Sequence, residues 1–217
     1  MRSALARIGA AVAVAALLTS CSGGDGGEAA PESDHLSAAE VCGGFAKDPA
    51  TAAALEGAMG AKRFSDNLSE PEEALAALRD ATRAPLADSY RPQPVKYCWL
   101  LPKDTEGDSL VIGVNAIRRA PGMHPELLPK VTMYTSGLLA YSSSGLGKVY
   151  FSCRLKAPAH QMVVETTIQG PGGFPQEDME QRTRLVTLAN ATARQISAEL
   201  GCQDDGLAKG VPAEAKG

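Results

Sequence analysis

The chain is poor in aromatic residues, which make up 5% of its 217 residues and include one tryptophan, Trp99. It also lacks any excess of positive charge, with 21 Lys and Arg against 25 Asp and Glu. A mildly acidic chain has no broad basic face, and that argues against nucleic acid or anionic lipid as its main partner. Beyond the N-terminal run there is no apolar stretch long enough to cross a membrane. No Cys-x-x-Cys, His-Glu-x-x-His, Walker motif, dinucleotide fingerprint or Gly-x-Ser-x-Gly elbow occurs. The wide cysteine spacing fits no zinc finger. The familiar redox, nucleotide-binding, metalloprotease and serine-hydrolase signatures are therefore missing.

What is present first is an address. Arg2 and Arg7 form a basic n-region, and Ile8 to Leu18 form an apolar h-region too short for a comfortable membrane span. Leu18-Thr19-Ser20-Cys21 then reads as a lipobox. Cleavage before Cys21 would leave a thiol to carry a diacylglyceryl group, and more than one acyl chain makes such anchoring stable. Residues 1–20 are thus expected to be a lipoprotein signal peptide. Residues 21–35 follow as a flexible tether, whose Gly-rich composition gives a typical reach of about 20 Å. Residues 36–202 are expected to form one extracytoplasmic domain. Residues 203–217, with Leu207 and Val211 as their only large apolar side chains, are expected to be a disordered tail.

Local signals outline an α+β domain. Ser37-Ala38-Ala39-Glu40 is a capping box ahead of Cys42, and Gly43-Gly44 ends that turn. Asp48-Pro49 reads as N-cap and first helical residue, with Gly60 as the stop. Ser69-Glu70-Pro71-Glu72 is a second capping box before Leu75 and Leu78. Lys62-Arg63-Phe64 suggests a short edge strand. Strands are expected at Val95–Leu101, Leu110–Ile117, Lys148–Leu155 and Met162–Gln169, the last two joined as a hairpin around Pro158. In the first, Val95, Tyr97, Trp99 and Leu101 alternate with Lys96, Cys98 and Leu100. A long helix over Glu177 to Leu200 carries a stripe of Leu185, Leu188, Ala189, Thr192, Ile196 and Leu200, closed by Gly201. The expected architecture is a single α+β domain. A mainly antiparallel sheet of about 4–6 strands packs with N-terminal helices and a long C-terminal helix.

Cys21 is assigned to lipid, leaving Cys42, Cys98, Cys153 and Cys202. An even set in an extracytoplasmic chain favours two disulfides, and four cysteines allow three connectivities. The order of Cys42, a helix from Pro49 to Met59, and Cys98-Trp99 on a strand resembles a broad group of actinobacterial secreted lipoproteins. Their function is unknown, and a first cysteine precedes a helix and pairs with a later Cys-Trp strand. The likeness covers the lipobox and roughly Val41 to Trp99. The chain departs from that pattern in Gly43-Gly44 and in its additional Cys153 and Cys202. The resemblance implies a Cys42–Cys98 bridge and an envelope location, and it supplies no activity.

Strand alternation adds an argument for the other pair. Cys153 shares a face with Val149, Phe151 and Leu155, the face that the final helix should cover. Cys202 lies just past the cap of that helix. The expected bridges are Cys42–Cys98 and Cys153–Cys202, each worth about 4 kcal/mol in the chain-entropy account.

Candidate chemistry is thin. Ser142-Ser143-Ser144-Gly145 offers hydroxyls but reads as a polar loop. Glu126, Glu165 and Asp178 are available acids, and nothing singles out a pair. Met123-His124, Met133 and His160-Gln161-Met162 combine thioether and imidazole groups of the kind that suit Cu(I). A strand at 161–169 would instead send His160 and Met162, with Val164 and Ile168, toward the core. Ala120 to Gly147 is far longer than the usual connection of about 4–6 residues and rich in apolar side chains. It either folds back over one side of the sheet, with an added strand near Lys130 to Thr135, or forms a binding surface. Trp99, the lone tryptophan, is read as core.

Together these expectations describe a lipid-anchored protein on the outer face of the plasma membrane. It is held to the bilayer by acylated Cys21 and acts as a binding or interaction module toward an envelope protein or ligand. The alternatives are a cell-envelope hydrolase and, less favoured, a copper-binding envelope protein. No catalytic, cofactor or metal residue is assigned.

Overall fold

The computed structural model describes residues 35–88 and 92–216. Cys21, the leader and nearly all of the tether lie outside the described residues. Three α-helices and an eight-stranded sheet form there. Helix α1, Pro49–Met59, starts as its sequence dictates. The Asp48 carboxylate accepts from the amides of Ala50 at 3.1 Å and Thr51 at 3.3 Å, and Gly60 closes the helix at φ 62°. Helix α3, Met179–Leu200, follows the same logic. Asp178 accepts from the Gln181 amide at 2.8 Å, and Gly201 takes the left-handed conformation at φ 73°. Helix α2, Pro71–Ala81, departs from expectation, because Ser69 does not cap it. The Ser69 hydroxyl instead accepts from the Trp99 amide at 2.8 Å, tying the approach to the helix to the sheet.

The strands are β1 Phe64–Ser65, β2 Val95–Pro102, β3 Leu110–Ile117, β4 Thr132–Thr135, β5 Leu139–Ser142, β6 Leu146–Cys153, β7 Met162–Gln169 and β8 Ala213–Glu214. They pair antiparallel throughout in the order β1-β2-β3-β7-β6-β5-β4-β8. The sheet is therefore larger than the four to six strands expected. The surplus comes from short strands, mainly inside the long 120–147 segment, which supplies β4, β5 and the start of β6. Strands of four residues carry too little alternation to stand out from an apolar connection.

One face of the sheet is covered by helices. α3 lies across β5, β6 and β7, α1 packs on α3, and α2 rests on β2 and β3. Phe64, Leu110, Ile112, Phe151, Ile168, Leu185 and Leu188 are completely buried between these layers. Cys42 and Cys98 lie at disulfide geometry with Cα atoms 5.7 Å apart, as do Cys153 and Cys202 at 4.7 Å. Both spans suit a disulfide.

The expected disordered tail is a correction. Residues 203–216 are packed and partly paired: β8 adds to β4, and Gln203 bridges Arg154. The composition argument failed because polar groups hold most of this segment, with Leu207 packing on the edge of the core. Asn190 on α3 donates from Nδ2 to the carbonyls of Ala208 at 3.0 Å and Gly210 at 2.9 Å, while its Oδ1 accepts from Ser136 at 2.6 Å. Asp205 accepts from the Ser197 hydroxyl and the Leu207 amide. A buried amide that satisfies backbone carbonyls can order a segment with almost no side-chain core of its own.

A second correction concerns β2. Its register slips between Lys96 and Cys98, making Tyr97 the extra residue of a bulge. Beyond the bulge Cys98 and Leu100 turn inward opposite Ile112 and Leu110, and Trp99 turns outward opposite Val111. Simple alternation placed Tyr97 and Trp99 on one face; the bulge separates them. Tyr97 is 1% exposed, and burial pushes its phenol up to about 12, with Glu199 and Glu72 adding to the rise. The sign follows directly. A folded-state value above the unfolded one leaves stability intact below about pH 10 and removes it as pH rises toward 12. Tyr97→Phe should therefore retain on the order of 1–2 kcal/mol that the wild type loses across that interval, read from urea unfolding at pH 9 and pH 11.5. Identical alkaline losses in both proteins would count against this assignment.

Candidate functional site

The face opposite the helices carries the side chains that the core leaves over. Across six successive strands Lys96, Gly113, Thr167, Lys148, Tyr141 and Met133 stand opposite one another in one row. The neighbouring row holds Asn115, Glu165, Tyr150 and Leu139. Where the rows meet, Glu165 accepts from Lys148, from the Tyr150 hydroxyl at 3.1 Å and from the Thr167 hydroxyl at 3.2 Å. The ion pair is largely shielded, so its partners hold each other in fixed geometry. Burial raises the Tyr150 phenol well above its ordinary range, and the charge of Glu165 and the neighbouring Tyr141 push it further. Tyr150 therefore stays a donor. The rings of Tyr141 and Tyr150 stack with centroids 6.4 Å apart.

Gly113 leaves a gap in this wall of side chains. Pro94, Lys96, Val111, Gly113, Thr167 and Gln169 line a hollow of about 210 Å³ there. Trp99 borders the same region, half-buried rather than in the core. The Lys96 ammonium sits 5.1 Å above its ring and 3.8 Å from Glu70. The tryptophan Nε1 is buried without a hydrogen-bond partner. Both lysines of the row thus have a carboxylate, and the hollow presents hydroxyl, amide and aliphatic surface without a dominant charge.

The connection from β3 to β4, residues 118–131, crosses part of this face. Its Ala120, Met123 and Val131 pack on Ile117, Tyr141, Tyr150 and Val163, beside Met133, Leu139 and Leu146. Arg118 and Arg119 both bind Asp88, which fastens the start of the crossing. The long segment therefore folds back over the sheet, as the first of its two readings expects. Residues 118–131 fold back over the sheet and cover the tyrosine end, and the end around Gly113 stays open.

The other candidates are not brought together. Met162 is buried under the helices, whereas Met123 and Met133 pack on the opposite face. His124 and His160 are exposed, and Gln161 donates to Ser152. The sheet itself thus divides the copper set, and no group of three His, Cys, Asp or Glu able to hold a metal occurs among the described residues. Ser142 is completely buried while the described histidines are exposed, so no nucleophile–base pair forms around it. Asp178 caps α3, Glu126 is exposed in the crossing, and Glu165 is the acid of the polar cluster. Lys148, Tyr150 and Thr167 were missed as members of that cluster. Their outward positions were readable from alternation, but the register that sets them around Glu165 was not. Among the described residues no helix is long and apolar enough to cross a membrane. No family model, curated protein or solved structure matches the chain.

Proposed function

We propose that the protein is a lipid-anchored binding module of the cell envelope that takes a polar ligand or partner on the open end of its outer sheet face. The observation that carries this reading is the row running from Lys96 through the gap at Gly113 to Lys148. It is a pre-formed hollow on rigid strands, lined by Thr167, whose hydroxyl donates to Glu165, and by Lys96, which pairs with Glu70. The two cysteine pairs are compatible with an extracytoplasmic setting, and the lipobox at Cys21 supports attachment to the membrane there. A photo-crosslinking residue at Gln169, which is exposed at the rim, should capture a defined species in the native envelope. The N-terminal peptide of the captured protein should carry acyl mass. Val111→Trp, which fills the hollow from its edge, should abolish that capture while shifting the melting temperature by no more than about 2 °C. Equal capture from Asp80 on the exposed side of α2, or capture unaffected by the tryptophan, would defeat the proposal.

A further inference from the structure

The hollow on the outer sheet face has two walls of different chemistry, and the strand register sets which is which. On one side β2 supplies Pro94 and Lys96, and the bulge at Tyr97 turns Trp99 to the same face. The Lys96 ammonium is drawn toward Glu70 and the Trp99 ring, which leaves its aliphatic stem to the wall. On the other side β7 supplies Thr167 and Gln169. The floor is β3, where Gly113 stands between Lys96 and Thr167, and Val111 between Trp99 and Gln169. Two interstrand spacings set the walls roughly 10 Å apart. At about 210 Å³ the hollow is smaller than the pockets of about 300–1,000 Å³ that take drug-sized ligands, so it suits a single ring.

The charges narrow the choice of ligand. Lys96 has Glu70 at 3.8 Å and Lys148 has Glu165, so neither lysine of the row is free for an anion. No carboxylate lines the hollow, so a cation finds no counter-charge there. Gln169, by contrast, is exposed, and its side-chain amide has no partner among the described residues. It offers both donors and an acceptor. A ligand with an apolar face and a rim of hydroxyls meets both walls without displacing an ion pair. A pyranose ring has that form, with C–H groups on its face and hydroxyls around its edge.

We propose that the hollow binds one ring of a neutral saccharide, its C–H face against Pro94 and Val111 and its hydroxyls toward Gln169. The proposal rests on the reading of the sheet face given above and names the class of its ligand. The test is titration of the folded, oxidised domain followed by amide chemical shifts. The probes are the methyl glycosides of glucose, mannose, galactose and N-acetylglucosamine, with glucuronate as the charged comparison. At least one neutral glycoside should move the resonances of Gly113, Thr167 and Gln169 with a Kd of about 10 mM or tighter. Gln169→Ala should weaken it at least about fivefold, and Val111→Trp should abolish it. Glucuronate should bind more weakly than that glycoside, and Glu70→Gln, which frees Lys96, should raise glucuronate affinity at least about threefold. No neutral glycoside bound by about 50 mM, or shifts confined to the helical side, would overturn the proposal. So would a Gln169→Ala protein that binds like wild type, or glucuronate that matches the neutral glycosides. In any of these cases the reading of the sheet face stands if crosslinking from Gln169 still captures a species that Val111→Trp removes. It falls with the proposal if that capture is absent too.

Discussion

Removing the Cys153–Cys202 bridge by paired alanine substitution is expected to destabilise the domain by about 4 kcal/mol. The sequence separation is 49 residues, and the unfolded chain gains the freedom of a loop that size. The native state also loses a fastening at a sensitive place. Cys153 ends β6 and is completely buried, and Cys202 directly follows the Gly201 cap of α3. The bridge thus fixes the helix that covers β5, β6 and β7, together with the start of the 203–216 segment. Urea unfolding with a lowered midpoint and a slope equal to or steeper than that of the wild type would agree, because the unfolded chain without the bridge is less compact. A loss below about 1 kcal/mol would show that α3 is held by packing alone.

The second large effect is expected at Gly147. A β-carbon there would lie 2.5 Å from the Leu185 carbonyl oxygen and 2.6 Å from its carbonyl carbon, so the obstacle is helix backbone. Gly147→Ala should force α3 away from β6 and cost at least about 3 kcal/mol, near the upper end for overpacking. Gly170 provides the contrast. A β-carbon there meets a methyl of the same Leu185 at 2.7 Å, and a side-chain tip can rotate away. Gly170→Ala should therefore cost clearly less. Equal losses in the two variants, measured by thermal or urea unfolding, would mean that the helix is not seated on the glycine.

Much of the helical layer was readable residue by residue, because caps are local chemistry. Asp48-Pro49, Gly60, Asp178 and Gly201 each state a boundary through hydrogen bonds or backbone angles set within a few positions. The long strands were readable for a similar reason, with Met162–Gln169 recovered end to end. What escaped depends on partners distant in the chain. Tyr97 becomes a bulge only because Cys98 must meet Ile112. Residues 203–216 are ordered only because Asn190 and Ser136 wait for them. The outer face is harder still. Lys148, Glu165 and Thr167 look like ordinary solvent-facing strand residues until the β6–β7 register sets them side by side.

The strand order carries one more consequence, for how the molecule comes together. Sequence neighbours are sheet neighbours within β1-β2-β3 and again within β4-β5-β6-β7, and the two runs meet only at the seam between β3 and β7. Each cysteine pair closes inside one run or its attached helices: 42 with 98 before the seam, 153 with 202 after it. Neither staples one half to the other. Oxidation can thus be completed in either half independently, and any mispaired bridge must join residues from opposite sides of the seam. The β3–β7 ladder, the contact most distant in the chain between central strands, is therefore expected to be the slowest of the central pairings to form.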